Sequence, residues 1–223
     1  MAAAVGIFNS THSGDSNKYT AISSVEEIDA GDESTESDSL LVVSPYTTAP
    51  HLLDLNRYDT ASQLFAKALT ILQPTHDDYA TTEYTSTFNF QEVVDTLRKL
   101  ARAESCVWQK KEFYVVSFRS QLKHEVDGDR LFQLDAFSHQ EAMTSGGLLK
   151  YWYGVKNEDR RNLATCFWES RQHARDGGRG PWHAQARAAA TIWYESIVFK
   201  TYVLTIGDGA NSWEFRDYEE SRR

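Results

Sequence analysis

Glu112-Phe-Tyr-Val-Val-Ser-Phe-Arg119 is the stretch on which the fold turns. It is β-branched or aromatic at most positions and holds neither Gly nor Pro, so it spells a strand. Side chains alternate along a strand. Phe113, Val115, Ser117 and Arg119 therefore share one face, and Tyr114, Val116 and Phe118 share the other. Both faces are bulky, which is the pattern of a sheet covered on both sides.

Working outward toward the C-terminus, Asp127-Gly128 marks a turn and residues 129–144 follow as a helix with Leu131, Leu134, Ala142 and Met143 inward. Gly146-Gly147 ends that helix. Residues 148–154 form a second strand, with Tyr151 and Tyr153 on the face of Leu149, and Lys150 and Trp152 opposite. Residues 156–161 are a charged hairpin loop and residues 162–168 a third strand. A short helix over 169–175 is broken at Gly177-Gly178. Pro181 then opens a longer helix expected to reach about Ile197, and Val198–Ile206 is a fourth strand. Ser212–Phe215 can add an edge strand. Strand, helix, strand, strand, helix, strand is the order of a ferredoxin-like α+β sandwich, here spanning residues 106–223. Its two helices cover one sheet face. A partner subunit, the preceding helices or a ligand must cover the other.

Toward the N-terminus, residues 46–105 read as a helical extension packed on this core. Residues 59–72 carry Leu64, Phe65, Ala68, Leu69 and Leu72 at helical spacing, with Asp59 or Thr60 as cap and Pro74 as stop. A second helix begins near Phe90, with Asn89 and Glu92 set as a capping box. Residues 1–45 are rich in Ser, Thr, Asp and Glu. They hold eight acids and one base, so they carry most of the net charge of −9, and they are expected to be a disordered acidic tail. Two cysteines without a CxxC exclude a disulfide framework and fit a reducing compartment. No apolar run is long enough for a signal peptide or a membrane span, so the expected location is the cytoplasm.

Four motifs occur in fixed order: Tyr114-Val-Val-Ser-Phe-Arg119, Ser145-Gly-Gly-Leu-Leu-Lys-Tyr-Trp-Tyr-Gly154, Arg161-Asn-Leu-Ala-Thr-Cys-Phe-Trp-Glu-Ser-Arg171 and Gly178-Arg-Gly-Pro-Trp-His183. Together they resemble the fungal family UPF0643, whose name carries no activity, over residues 108–216. Ala164-Thr-Cys-Phe-Trp-Glu-Ser-Arg171 followed by His183 is similar to the dimeric α/β-barrel superfamily, which includes antibiotic-biosynthesis monooxygenases and EthD-like enzymes. That likeness implies a unit that dimerises through its sheet and holds small molecules between sheet and helices, often without a metal. The long N-terminal extension departs from it.

His183, behind Pro181 at a helix start, sits where the helix dipole disfavours imidazolium, and is the candidate general base. A capping or buried structural role is the alternative. Tyr151 is the second catalytic candidate. Arg119, Tyr153, Trp168 and His139 are candidates for substrate binding, Arg119 by a bidentate grip on a carboxylate or phenolate or else as a salt bridge at the domain edge. No HExxH and no i, i+4 histidine pair occurs, so no metal site is expected. Gly177-Gly-Arg-Gly180 before a helix reads as a flexible linker; it has the geometry of an anion site as an alternative, but lacks the P-loop pattern. Cys166 reads as a buried, inert thiol.

Three functions fit. The superfamily likeness implies a cofactor-free small-molecule enzyme of fungal, in particular secondary, metabolism, with a homodimer as one assembly. A stripe of Arg160, Arg161, Arg171, Arg175 and Arg179 admits a tRNA partner, as in the arginine-containing cyclodipeptide synthases that use aminoacyl-tRNA. A non-catalytic dimeric binding or regulatory protein is the third.

Overall fold

The computed structural model describes residues 39–219. Short strands β1 (Leu40–Leu41) and β2 (Leu53–Asp54) pair with each other. The helices α1 (Thr60–Ala68), α2 (Tyr84–Thr87) and α3 (Phe90–Ala103) follow. The remaining elements are β3 (Lys111–Leu122), α4 (Gly128–Ser145), β4 (Leu148–Tyr153), β5 (Arg161–Trp168), α5 (Arg171–Gly177), α6 (Pro181–Trp193), β6 (Tyr194–Ile206) and β7 (Trp213–Asp217).

The five long strands form one antiparallel sheet in the order β4-β5-β3-β6-β7. Strand β4 leaves a gap beside β3 that β5 fills, and β6 returns to the other side of β3. The first four strands thus have the split ferredoxin-like arrangement, and β7 is the added edge.

Register fixes the faces. Tyr114 pairs with Trp168, Val116 with Cys166, and Cys166 with Tyr151, so these side chains share one face. Helices α4, α5 and α6 lie on it, with Leu131, Leu134 and Ala186 packed around Leu122 and Tyr194. The opposite face carries Phe113, Val115, Thr165, Phe167 and Tyr202. The chain's own N-terminal segment covers it. Phe65 of α1 lies 4.2 Å from the ring of Phe113, and Tyr84 of α2 stacks on Tyr202 at 4.8 Å. The Tyr84 hydroxyl also meets Thr165 Oγ1 at 2.6 Å. The cover is therefore supplied in cis, and a dimer closed through this face has no room while these helices stay packed.

Four expectations change. Residues 39–45, assigned above to the tail, belong to the fold. Val43 is fully buried, and its carbonyl receives the Tyr151 N–H at 2.9 Å, protecting the outer edge of β4. The rest of that tail lies outside the described residues. Helix α1 stops at Ala68 and tightens into a 3₁₀ turn over Leu69–Ile71 before Pro74. Asn89 holds the N-cap position of α3, but its side chain does not bond the amides of the first turn. Its amide binds Gln73 N, Ile71 O and Glu92 Oε2, which ties the helix start to the preceding turn. The last long helix ends at Trp193, not near Ile197, because the aromatic and β-branched run that follows pairs with β3 as far as Leu122.

Candidate functional site

The polar centre of the molecule lies under α4. Asp135 is buried on the inward face of that helix, with Oδ1 accepting from the Tyr151 hydroxyl at 2.7 Å and Oδ2 from the Tyr46 hydroxyl at 2.6 Å. Burial and the Asp135 charge together push both phenols far above their ordinary range. Tyr153, 5.6 Å ring to ring from Tyr151, is pushed up to about 12 by the same two causes. Cys166, beside Tyr151 across the β4–β5 ladder, is held as a neutral thiol, first by burial and then by Asp135.

One helical turn on, His139 packs its ring against Tyr151 at 5.4 Å and Tyr46 at 5.2 Å. Its Nδ1 lies 2.9 Å from Nδ1 of His51, which itself stacks on Tyr46 at 4.5 Å. Two imidazolium ions cannot face each other in this way, so the pair shares one proton between neutral rings. Burial, then the charge of His51 and His183, lowers the His139 pKa to about 3.

His183 opens the second half of the site. Gly180 caps α6, Pro181 stands at its first turn, and the free amides of that turn point at Glu141 of α4. Glu141 Oε1 accepts the Trp182 N–H at 2.7 Å, and Oε2 accepts the His183 N–H at 3.1 Å. The same Oε2 lies 2.8 Å from His183 Nδ1. These bonds, against burial, bring the carboxyl below its ordinary value, so it is an acceptor only and His183 Nδ1 carries the proton. His183 is itself lowered, by burial first, against the pull of Glu141. The ring is neutral at pH 7 with Nε2 as its basic end. Glu141 thus takes the place that the free amides of this helix start offer to an anion. Outside Glu141 lies a groove of about 570 Å³ lined by Phe137, Gln140, Thr144, Asp176, Gly177 and Trp182.

Of the six residues singled out from sequence, Tyr151, Tyr153 and His139 come together around Asp135. His183 is near enough to act on His139 electrostatically. Trp168 is buried on the same sheet face, one residue pair beyond, where its ring fills the space against Gly177. Arg119 is not part of the cluster. It projects from the opposite face, where its guanidinium donates to the carbonyls of Tyr79, Ala80 and Thr82 and straps that loop to the sheet. Among the described residues it closes no salt bridge, and its guanidinium is taken up by these carbonyls. In the basic stripe, Arg160 pairs with Glu195 and Arg179 with Asp176, while Arg171 stands over the Tyr218 ring.

The residues missed from sequence are Asp135, Tyr46, His51 and Glu141. Asp135 and His139 did leave a signal, since they interrupt an otherwise apolar helix face at i and i+4. Tyr46 and Glu141 left none, because their partners lie 89 and 42 residues away.

Fold and site together define a ferredoxin-like α+β protein with its second sheet face covered in cis and a buried tyrosine–histidine–carboxylate cluster under the first helix layer. The chain belongs to the PB2B2.08-like family, whose model matches residues 42–217. It is 33% identical over 189 residues to the UPF0643 protein PB2B2.08 of Schizosaccharomyces pombe, covering 82% of this chain and 86% of that one. Among solved structures it is similar to two proteins named as antibiotic biosynthesis monooxygenases. The one from Nitrosomonas europaea overlaps with a TM-score of 0.34 at 12% identity, over 41% of this chain and 86% of its own. The one from Chloroflexus aurantiacus overlaps with a TM-score of 0.31 at 13% identity, over 50% and 97%. Overlap at this level carries no functional inference, and the fold assignment rests on the strand order. Among the described residues no helix is long and apolar enough to cross a membrane.

Proposed function

We propose that the chain is a small-molecule enzyme that needs no cofactor and works by proton transfer, with His183 as general base. The observation that carries this is the 2.8 Å contact between Glu141 Oε2 and His183 Nδ1. A carboxylate on one ring nitrogen fixes the tautomer, turns the basic nitrogen away from it and stabilises the imidazolium formed once a proton is taken. Nε2 would accept a proton from a substrate C–H or O–H and return it later, which serves an isomerisation, a cyclisation or a dehydration. Tyr151, whose proton is held by Asp135, would accept a hydrogen bond from a substrate hydroxyl through its remaining lone pair. Burial of both groups supports the reading, because a water-poor layer strengthens each electrostatic contact.

The test is untargeted mass spectrometry. A metabolite extract of Schizosaccharomyces pombe cells lacking the 33% identical relative would be incubated with the full chain or with its His183→Gln variant. Conversion of at least one small molecule by the first and not by the second is expected. No conversion by the unaltered chain would leave a binding protein as the better reading.

A further inference from the structure

Lys150 stands on the sheet face that the N-terminal segment covers. It pairs with Phe167, so it shares that face with Val115 and Thr165 and lies opposite Tyr151 and the Asp135 layer. Helix α1 and the 3₁₀ turn after it pack on β4. Trp152, two residues on along the same face, meets Phe88 edge-on at 4.9 Å and Tyr79 at 5.5 Å. Lys150 is 8% exposed. Lysine is almost never buried to this degree unless it is paired.

This one has no pair. Among the described residues it makes no hydrogen bond and no ion pair. The charged groups around it are engaged elsewhere. On α1, Asp59 binds Lys111 at 2.7 Å and Lys67 binds Glu104 at 3.0 Å. Glu169, just past β5, takes the Ser62 hydroxyl at 2.6 Å. Arg161 begins β5, at the end away from Phe167. Arg119 is held by loop carbonyls, and α5 with its charged residues lies on the other face. Burial is therefore the one cause that moves the Lys150 pKa, from 10.5 down to about 8. At pH 7 about one chain in ten then holds the neutral amine, against about one in three thousand for an ordinary lysine.

The amine is also within reach. Tyr194 OH and Trp168 Nε1 are unpartnered and fully enclosed, whereas Lys150 Nζ is unpartnered and keeps accessible surface. Strand β4 is the outermost of the sheet on its side, so this surface lies toward the rim and not in the middle of the core.

We infer that Lys150 is a nucleophilic amine that condenses reversibly with small uncharged aldehydes, a covalent site on the opposite sheet face from His183. The Nζ lone pair attacks the aldehyde carbon, and the carbonyl π electrons move to oxygen, which takes a proton from nitrogen. The carbinolamine then loses water and leaves an imine between Nζ and the former carbonyl carbon. No oxidant or reductant takes part. A desolvated lysine suits this step, because its surroundings favour the uncharged amine and the uncharged imine over the ammonium.

The experiment is reductive labelling of the folded full chain at pH 7 with propionaldehyde and sodium cyanoborohydride, which turns an imine into a stable secondary amine. Peptide mass spectrometry reads each lysine. Lys150 should gain the propyl group at least about tenfold faster than the exposed Lys99, Lys110 and Lys200. At pH 9.5 that advantage should shrink by about tenfold or more, as the exposed amines lose their protons. In denaturant the four lysines should label alike. Labelling of Lys150 no faster than the exposed lysines at pH 7, or an advantage that survives denaturation, would overturn the inference. Lys150→Met should remove the label and leave Tm unchanged or higher. A lower Tm would reveal a partner for the ammonium and contradict the unpaired amine. His183→Gln should leave Lys150 labelling unchanged, so failure of this site and failure of the proton-transfer reading are told apart.

Discussion

Glu141 Oε2 binds His183 twice, at the backbone N–H and at Nδ1, so one carboxylate both caps helix α6 and sets the tautomer of the ring. Cap and ring orientation are therefore coupled. Glu141→Gln keeps the shape but loses an acceptor and the charge. It should cost about 1–2 kcal/mol of stability, as removal of a charged cap does, and lower turnover. Gly180→Ala should act in the same direction without touching either group, because its Cβ would overlap the Glu141 carboxylate. The Gly180 backbone has φ −66°, so the cause would be the clash and not backbone strain. Thermal melts and turnover of both variants check this. A Gly180→Ala chain with full activity would separate the cap from the chemistry.

His139 makes the fold sensitive to acid. Its folded pKa is about 3, below the ordinary 6.5, because burial disfavours the charged ring. A lowered histidine favours the folded state fully above 6.5, and that contribution is lost as pH falls from 6.5 toward 3. By pH 5 the loss amounts to about 2 kcal/mol from this residue. His183, also lowered, adds to it in the same window. Urea unfolding at pH 7 and pH 5 measures the difference, and His139→Asn should flatten the slope.

Asp135 is the acceptor for one buried and one half-buried phenol, so its removal strands both. Asp135→Ala should cost roughly 2–5 kcal/mol, as two unsatisfied hydroxyls imply, while Tyr151→Phe should cost only about 1–2 kcal/mol. The triple variant with Tyr46→Phe, Tyr151→Phe and Asp135→Ala should recover part of the loss, because no stranded donor remains. Chemical denaturation of the set would show the non-additivity.

Arg119 should behave as a strap, not a ligand contact. Arg119→Lys loses the planar fork that reaches the carbonyls of Tyr79, Ala80 and Thr82. Hydrogen exchange is expected to speed up over residues 79–87 by an amount corresponding to about 1–3 kcal/mol, with turnover kept. Selective loss of turnover with unchanged exchange would return Arg119 to the substrate side.

What the sequence made legible was local. The alternation in 112–119, the turn glycines and Pro181 placed the strands and helices of the sandwich to within a few residues, because each signal lies within its own element. The helix-to-strand change at Trp193 was displaced because the strand there is imposed by pairing with β3, a contact remote in sequence. In the site, His139, Tyr151 and His183 stood out by residue type on buried elements. Their partners Tyr46, His51 and Glu141 did not, since nothing in an isolated loop or helix announces what it will meet across the fold. Arg119 shows the same limit. Its position at the end of an apolar strand was readable, but the carbonyls that occupy it belong to a loop placed by α2.

The most direct test of the central claim is the protonation of His183. Long-range nitrogen–proton correlation spectra of the full chain, assigned with His183→Gln, report which ring nitrogen carries hydrogen. At pH 7 the expected signature is Nδ1–H with a bare Nε2, held there until pH falls below 6.5. An Nε2–H tautomer, or an imidazolium already present at pH 7, would contradict the general-base account.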